Sequence, residues 1–307
     1  MRAPVTASST WASTARRLAH HRGTLSQLRL ATTLIAAPTR IYQHYLSGVK
    51  PFSSSTFKLQ EQSQPVNMAS AVKNLDGLKK GAQRVIAPNE LQKKWFFSDE
   101  EFDNVCVTRF SPILEAIRKA GVTSAQELLS VAQPRNSLDW LSLIILLDQI
   151  PRNSYRGEKS SICFTYFDPL ARQVSLEAVK QGIPDKAPEI RWVFSHRNWF
   201  YMPLMHSEDI SAHDKAVLGF EQINNDILSL IEGTGGADEY ERKAREAVQA
   251  DPETAKKIGE MNIMFEEKHR VIIEKFGRHP HRNKALGRET TPEEVEFLEN
   301  GGDRFGS

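Results

Sequence analysis

Cysteine is scarce in this 307-residue chain: Cys106 and Cys163 are its two, each flanked by apolar residues. Two such residues build neither a disulfide framework nor a zinc knuckle, so both read as buried free thiols in a reducing compartment. No unbroken apolar run approaches the ~20 residues a membrane-spanning helix needs, so no membrane span is expected. Gly-rich phosphate loops, nucleophile elbows and dinucleotide fingerprints are missing, as are HExxH and CxxC motifs; no metal and no cofactor is assigned. Val and Ile never alternate with polar residues over a useful length, which argues against strands.

Acid is the other shortage, and it is local. Residues 1–67 hold eight Lys and Arg, among them Arg2, Arg16, Arg17, Arg22, Arg29 and Arg40, against the single acid Glu61. With Ser and Thr in abundance, that is the composition of a disordered mitochondrial-type transit segment, and residues 28–37 suit a short basic amphipathic helix. A matrix location is therefore expected. Met68, followed by Ala69 and Ser70, would begin a leaderless cytosolic form. Without the leader, 32 basic residues face 37 acidic ones, a net charge of −5 against +2 for the whole chain. A mildly acidic domain has no long-range attraction for nucleic acid, and no nucleic-acid partner is expected.

Residues 68–87 read as a linker, and an all-α domain follows over 88–307. Ser98-Asp99-Glu100-Glu101 reads as a capping box for a helix carrying Phe102, Val105, Phe110, Ile113, Leu114 and Ile117 and stopped by Gly121. Ser124 and Glu127 start a shorter helix. Residues 138–150, with Leu143 to Leu147 unbroken, form the expected central buried helix, ended by Pro151. Asp168-Pro169 reads as an N-cap with proline in the first turn, and Gly182 closes that helix. Another helix is expected after Pro188, carrying Trp192, Val193 and Phe194 into Trp199-Phe200-Tyr201. Ser207-Glu208-Asp209 caps a long helix reaching Ile231. A charged insertion near 233–252 includes a solvated stretch over 239–249. A last long helix spans 254–276 and stops at Gly277, and Thr291-Pro292-Glu293-Glu294 caps a short one. Short turns between successive helices predict stacked antiparallel hairpins closed into one compact domain.

Two corners concentrate the polar chemistry. Asp148-Gln149-Ile150-Pro151-Arg152-Asn153 puts a carboxylate in the last turn of an apolar helix, where the macrodipole disfavours it by about 0.3–1 kcal/mol, so it calls for a cation such as Arg152. Phe276-Gly277-Arg278-His279-Pro280-His281-Arg282-Asn283 echoes it, with arginine forks suited to a carboxylate or phosphate and a histidine that titrates near neutrality. If both corners face one cleft, the pocket suits a small anionic metabolite; otherwise they form an internal Arg–Asp network. His206, with Glu208, is a structural residue before the Ser207 cap, an acid/base pair or a ligand pair. His269 is the remaining histidine that could reach the same cleft. His213-Asp214 is similar to the dipeptide of helical metal-dependent phosphohydrolases but lacks their partner residues, and reads as a solvated helix face.

The order of Trp95-Phe96-Phe97, residues 143–153 (LIILLDQIPRN), Asp168-Pro169-Leu170-Ala171, residues 203–209 (PLMHSED), residues 276–283 (FGRHPHRN) and Leu286-Gly287-Arg288 resembles domain-of-unknown-function family 924 over about residues 89–305. The resemblance implies a tetratricopeptide-type helical superhelix and no known activity. It also directs attention to Asp148, Gln149, Arg152, Asn153, His206, Ser207, Glu208, Arg278, His281, Arg282 and Asn283. The leader, the charged stretch over 239–249 and His279, where an aromatic residue is more usual, depart from the pattern.

Two functions fit. One is a binding or scaffold module for a protein or peptide, as helical-hairpin surfaces commonly serve. The other is an enzyme or small-anion binder. It would use Arg152, Arg278 and Arg282 as clamps, assisted by Gln149, Asn153, Glu208 and Asn283, with His206 or His281 as acid/base and Asp148 as the orienting carboxylate.

Overall fold

The computed structural model describes residues 100–234 and 236–305. The leader, the Met68 start, the linker, the Trp95-Phe96-Phe97 motif and the Ser98 cap lie outside them. The described residues are helical, without a strand, and none of their helices is long and apolar enough to cross a membrane.

Helix α1 (Glu100–Lys119) carries acids in its first turn and bases in its last, as the macrodipole favours, and buries Ile113, Leu114 and Ile117. Gly121, at φ +66°, lets the chain leave it. Helix α2 (Ala125–Ala132) is capped by Ser124, whose Oγ accepts from the Glu127 N–H at 3.2 Å. Helix α3 (Ser137–Ser154) is capped by Asn136 and runs straight through Pro151, against the expected stop. Proline surrenders only its own N–H; the Tyr155 N–H still reaches the Pro151 carbonyl, which keeps the last turn closed. With 13 of its 18 residues buried, α3 is the central helix, and each Leu or Ile hidden there stabilises the fold by about 1.5–3 kcal/mol.

Asp168 is not a cap. The chain coils continuously through a π-type turn, Cys163–Phe167, into helix α4 (Asp168–Lys180), and Asp168 itself is helical at φ −57°. The extra residue of that turn points the Asp168 carboxylate inward. The single helix expected after Pro188 is a chain of short pieces, Pro188–Arg191, Phe194–Arg197, Asn198–Phe200 and Met202–Met205. Arg197 explains the break. It is fully buried, and its guanidinium donates to Asp185 and Asp226, both at 2.6 Å, so the chain turns around an ion pair instead of running past it.

Helix α5 (Ile210–Glu232) is capped by Asp209, not Ser207. Helix α6 (Glu239–Ala250), expected to be a solvated stretch, buries Ala244, Ala247 and Val248 between its charges. Helix α7 (Pro252–Phe276) lies antiparallel to α5, and Gly277 at φ +66° ends it. Two glycines permit the packing here: a Cβ on Gly259 would stand 2.2 Å from Asn224 Oδ1, and one on Gly219 2.2 Å from the Tyr201 ring. Helix α8 (Pro292–Glu299) has the expected capping box between Thr291 and Glu294.

The most extensive packing joins alternate helices, α5 with α7 and α1 with α3, where hairpins of successive helices were expected. One hydrophobic cluster forms around α1 to α4 and a second around α5, α6 and the start of α7. The turn Met202–Met205 touches α3, α4, α5 and α7. His206 follows it directly, at the seam of the two clusters.

Candidate functional site

The two Arg-Asn corners meet. Because α3 continues past Pro151, Arg152 falls one turn after Asp148, and its Nη2 stands 3.3 Å from Asp148 Oδ1 and 2.8 Å from Asp168 Oδ1. From the far end of the chain, Arg282 Nη1 approaches Asp168 Oδ2 at 3.4 Å while its Nη2 donates to the His206 carbonyl at 3.0 Å. The Arg282 guanidinium also lies 4.7 Å from the Phe164 ring centroid, a cation–π contact. His206 Nδ1 is 2.8 Å from Asp148 Oδ1, and Gln149 donates to Asp148 as well. All five of Asp148, Asp168, His206, Gln149 and Arg282 are less than a tenth exposed.

The electrostatics follow from that burial. Desolvation alone would raise the Asp148 pKa, but His206 and Arg152 overcome it and hold the carboxyl well below its usual range. Burial, reinforced by the Arg152 charge, lowers the His206 pKa, so the ring is neutral and donates its Nδ1–H to Asp148. Its tautomer and orientation are thereby fixed. Burial also pushes the Cys163 thiol up, with Asp168 adding to it; the thiol donates to Asp168 at 3.5 Å. Two arginines thus face two aspartates, and several N–H groups are left over: Arg152 Nε, Arg282 Nε and Asn153 Nδ2 are buried without a partner.

A row of histidines adjoins this cluster. Ring centroids lie 6.1 Å apart for His206 and His269, 6.0 Å for His269 and His279, and 5.3 Å for His279 and His281. Desolvation is the largest cause of a depressed pKa at His269, His279 and His281, with the Arg282 charge acting the same way on each, and His281 falls to about 3. Among the described residues no group of three or more His, Cys, Asp or Glu side chains is disposed to hold a metal ion.

Other residues singled out from the sequence lie elsewhere. Arg278 makes a two-pronged pair with Glu294 at 2.7 and 2.9 Å, and Asn283 donates to the same carboxylate at 3.0 Å. Both tie α8 down and belong to no cleft with Arg152. Glu208 does not pair with His206. It accepts from the His279 N–H at 3.0 Å and from Arg288 at 3.0 and 2.7 Å. Ser207 Oγ accepts from the Asp209 N–H at 3.0 Å. His213 is fully buried, not solvated: its Nδ1 is 2.7 Å from Glu266 and its Nε2 2.9 Å from the Ser207 carbonyl. A carbonyl only accepts, so Nε2 carries a hydrogen, and one further proton bridges Nδ1 and Glu266. Cys106 and Cys163 are free and buried.

Residues 79–302 match the family described as bacterial protein of unknown function (DUF924). The chain belongs to that family. A similar solved structure is that of a protein of unknown function, ATU0120, from Agrobacterium tumefaciens, 30% identical over 73% of this chain and 99% of that one, with a TM-score of 0.44. No curated protein matches.

Sequence reasoning missed Asp168, taken for a cap, although the Asp-Pro pair stood within the family signature. Phe164 carried no signal, because nothing local distinguishes a phenylalanine that covers a polar site from one in a core.

Proposed function

We propose that this chain binds a small anionic molecule where Arg152 and Arg282 meet, and that His206, oriented by Asp148, accepts or returns a proton there. The observation that carries the proposal is the pair of buried, partnerless Nε–H groups on two arginines that converge from corners 130 residues apart. An unmet buried donor costs about 1–3 kcal/mol, which a ligand carboxylate or phosphate would recover. Neutral His206 with its Nδ1–H engaged presents Nε2 as a base, the arrangement general acid–base chemistry needs. Alanine at Asp148 or Arg282 would strand the opposite charge and destabilise the fold by about 3–5 kcal/mol, so gentler variants are needed. Thermal melting with phosphate, succinate and aromatic acids is the test for wild type, Arg282→Lys and His206→Gln. Ligand at a hundred times its Kd should add about 2.7 kcal/mol, several degrees, to the wild type and much less to Arg282→Lys. If no anion shifts the wild type, the polar cluster is a structural tie.

A second observation favours a protein- or peptide-binding module. Met261, Met264, Phe265 and Val271 are 40–47% exposed along one side of α7. Their helical spacing confines them to an arc of about 120°. A partner held there should be lost from a Met264→Glu/Phe265→Glu variant that still melts like the wild type. Kinship with tetratricopeptide-type superhelices belongs to the same proposal, since a concave helical face would display that stripe.

Residues 1–67 are proposed to direct the chain to the mitochondrial matrix, with initiation at Met68 giving a cytosolic form. N-terminal sequencing of the protein from each fraction tests both. One N-terminus upstream of Met68 in both compartments would sink the second form.

A further inference from the structure

Beside the arginine cluster, the side chain of Phe305 occupies the histidine row. Its ring stacks on His269 at a centroid distance of 3.5 Å and 18° between planes. It stands edge-on to His279 at 6.4 Å and to His281 at 6.3 Å. The slot is polar where the plug is not. His279 is fully buried with neither ring nitrogen bonded, and His269, 4% exposed, has its Nδ1 on the Phe265 carbonyl at 2.7 Å but nothing on Nε2. The Phe305 carbonyl approaches His281 without a bond of full geometry to either of its nitrogens.

Phenyl satisfies the flat, stacked shape of this space and none of its hydrogen bonding. A hydrocarbon core residue would ordinarily sit among hydrocarbon, and buried imidazole nitrogens would ordinarily be paired. Here an aromatic ring stands against three imidazoles with buried nitrogens unmet, and the next residue after His281 is Arg282 of the anion site. Lightly held residues carry the plug: Arg304 is exposed and bonded to the Leu298 carbonyl, and Asp303 pairs with Lys268 at 3.5 Å across solvent-exposed side chains. Such surface ties are weak and exchangeable.

We propose that the slot filled by Phe305 is a ring-binding subsite. The anionic ligand of the Arg152–Arg282 site is a planar aromatic or heteroaromatic acid whose ring displaces Phe305 and stacks on His269. This rests on the anion-site reading above and adds the class of ligand. A heteroatom or substituent on the ring edge would reach the free nitrogens of His279, and the acid would reach Arg282.

Titration calorimetry on the full chain with nicotinate, benzoate and cyclohexanecarboxylate tests it, because the three share charge and size but differ in flatness and ring nitrogen. Benzoate should bind at least about fivefold more tightly than cyclohexanecarboxylate, the ordinary yield of aromatic stacking, and nicotinate more tightly still. Phe305→Ala should tighten both aromatic acids by removing their competitor. Phe305→Leu, which keeps an apolar plug, serves if the alanine variant folds poorly. Aromatic ligand should also speed tryptic cleavage after Arg304, read by mass spectrometry, whereas succinate should not. If succinate and phosphate bind while the three ring acids are equal and indifferent to Phe305, the ring subsite is refuted and the anion site stands. If no probe binds wild type or either variant, the anion site itself falls, and this inference with it.

Discussion

Mild acid should unfold this protein through its histidine row. His206, His269, His279 and His281 all have depressed pKa values, with desolvation the largest cause in each. The folded state keeps these rings neutral while the unfolded chain protonates them near the ordinary 6.5. A depressed histidine contributes stability that is whole above its unfolded pKa and is lost as pH falls from there toward its folded one. Each ring that stays neutral therefore costs about 1.4 kcal/mol between pH 7.5 and 5.5, and the three most depressed, His269, His279 and His281, together about 4 kcal/mol, a large part of the ~5–15 kcal/mol that holds a domain folded; His206 adds in the same direction. His196, half-buried and depressed by desolvation, adds to the same slope, while Glu266, whose carboxyl burial raises, opposes it. Asp148 faces His206 and Glu208 lies near His281, and each favours the charged ring without reversing the shift.

Urea unfolding measured from pH 7.5 to 5.5 gives the slope directly. His279→Phe, which restores an apolar ring at a fully buried position, should flatten it by about one proton, or 1.4 kcal/mol per pH unit at the acid end. Should that variant fold poorly, His281→Gln should give a similar loss. An unfolding free energy indifferent to pH across this range, or a slope equal in wild type and both variants, would refute the reasoning.

The other predictions concern ties outside the row. Arg197→Ala should lower stability by about 1–3 kcal/mol in urea, because Asp185 and Asp226 lose the buried cation they share, although Arg191 still pairs with Asp226 and Asp185 is partly exposed; an effect below ~0.5 kcal/mol would mean water takes its place. Gly219→Ala should cost about 1–3 kcal/mol by pushing the Tyr201 ring aside, and a neutral result would show that α5 and the Met202–Met205 turn can separate. The bonds from Arg278, with Thr291 and Asn283 assisting, hold Glu294 at about 2, so its contribution is whole above ordinary carboxylate values and fades as pH falls from about 4.5 toward 2. Glu294→Ala should remove that acid limb and, with the lost Arg278 pair and capping box, lower stability by more than about 1 kcal/mol at neutral pH. Equal acid limbs in the two proteins would contradict it.

The helices themselves were legible in local chemistry. Ser124, Thr291, Gly121 and Gly277 act within three or four residues of their own position, and an apolar period needs no partner to be recognised. The residues 143–147 run identified the central helix because such a run has nowhere else to go. What the sequence could not show was anything that depends on a distant charge. Pro151 reads as a stop until the packing of α3 and the Tyr155 bond outweigh one missing N–H. Asp168 reads as a cap until a π-type turn aims it at Arg152. Residues 188–201 read as one helix until Arg197 finds Asp185 and Asp226. His213 reads as surface until Glu266 arrives from α7.

The site divides along the same line. Composition and the echo of Pro-(x)-Arg-Asn selected Asp148, Arg152, His206 and Arg282, because arginine, histidine and aspartate beside apolar helices need partners wherever they end up. Which partner each takes is a three-dimensional matter. Arg282 reaches Asp168 and His206, while Arg278, four residues before it, swings to Glu294, since the 3-10 turn at Pro280–Arg282 sends the two side chains to different sides of the chain. The sequence determined the helices, the basic composition of residues 1–67 against the acidic balance of the rest, and the residues worth watching. Only the tertiary structure decided that two corners share one buried cluster and that a phenylalanine stands in its histidine row, because Coulombic and stacking contacts depend on separation in space and not along the chain.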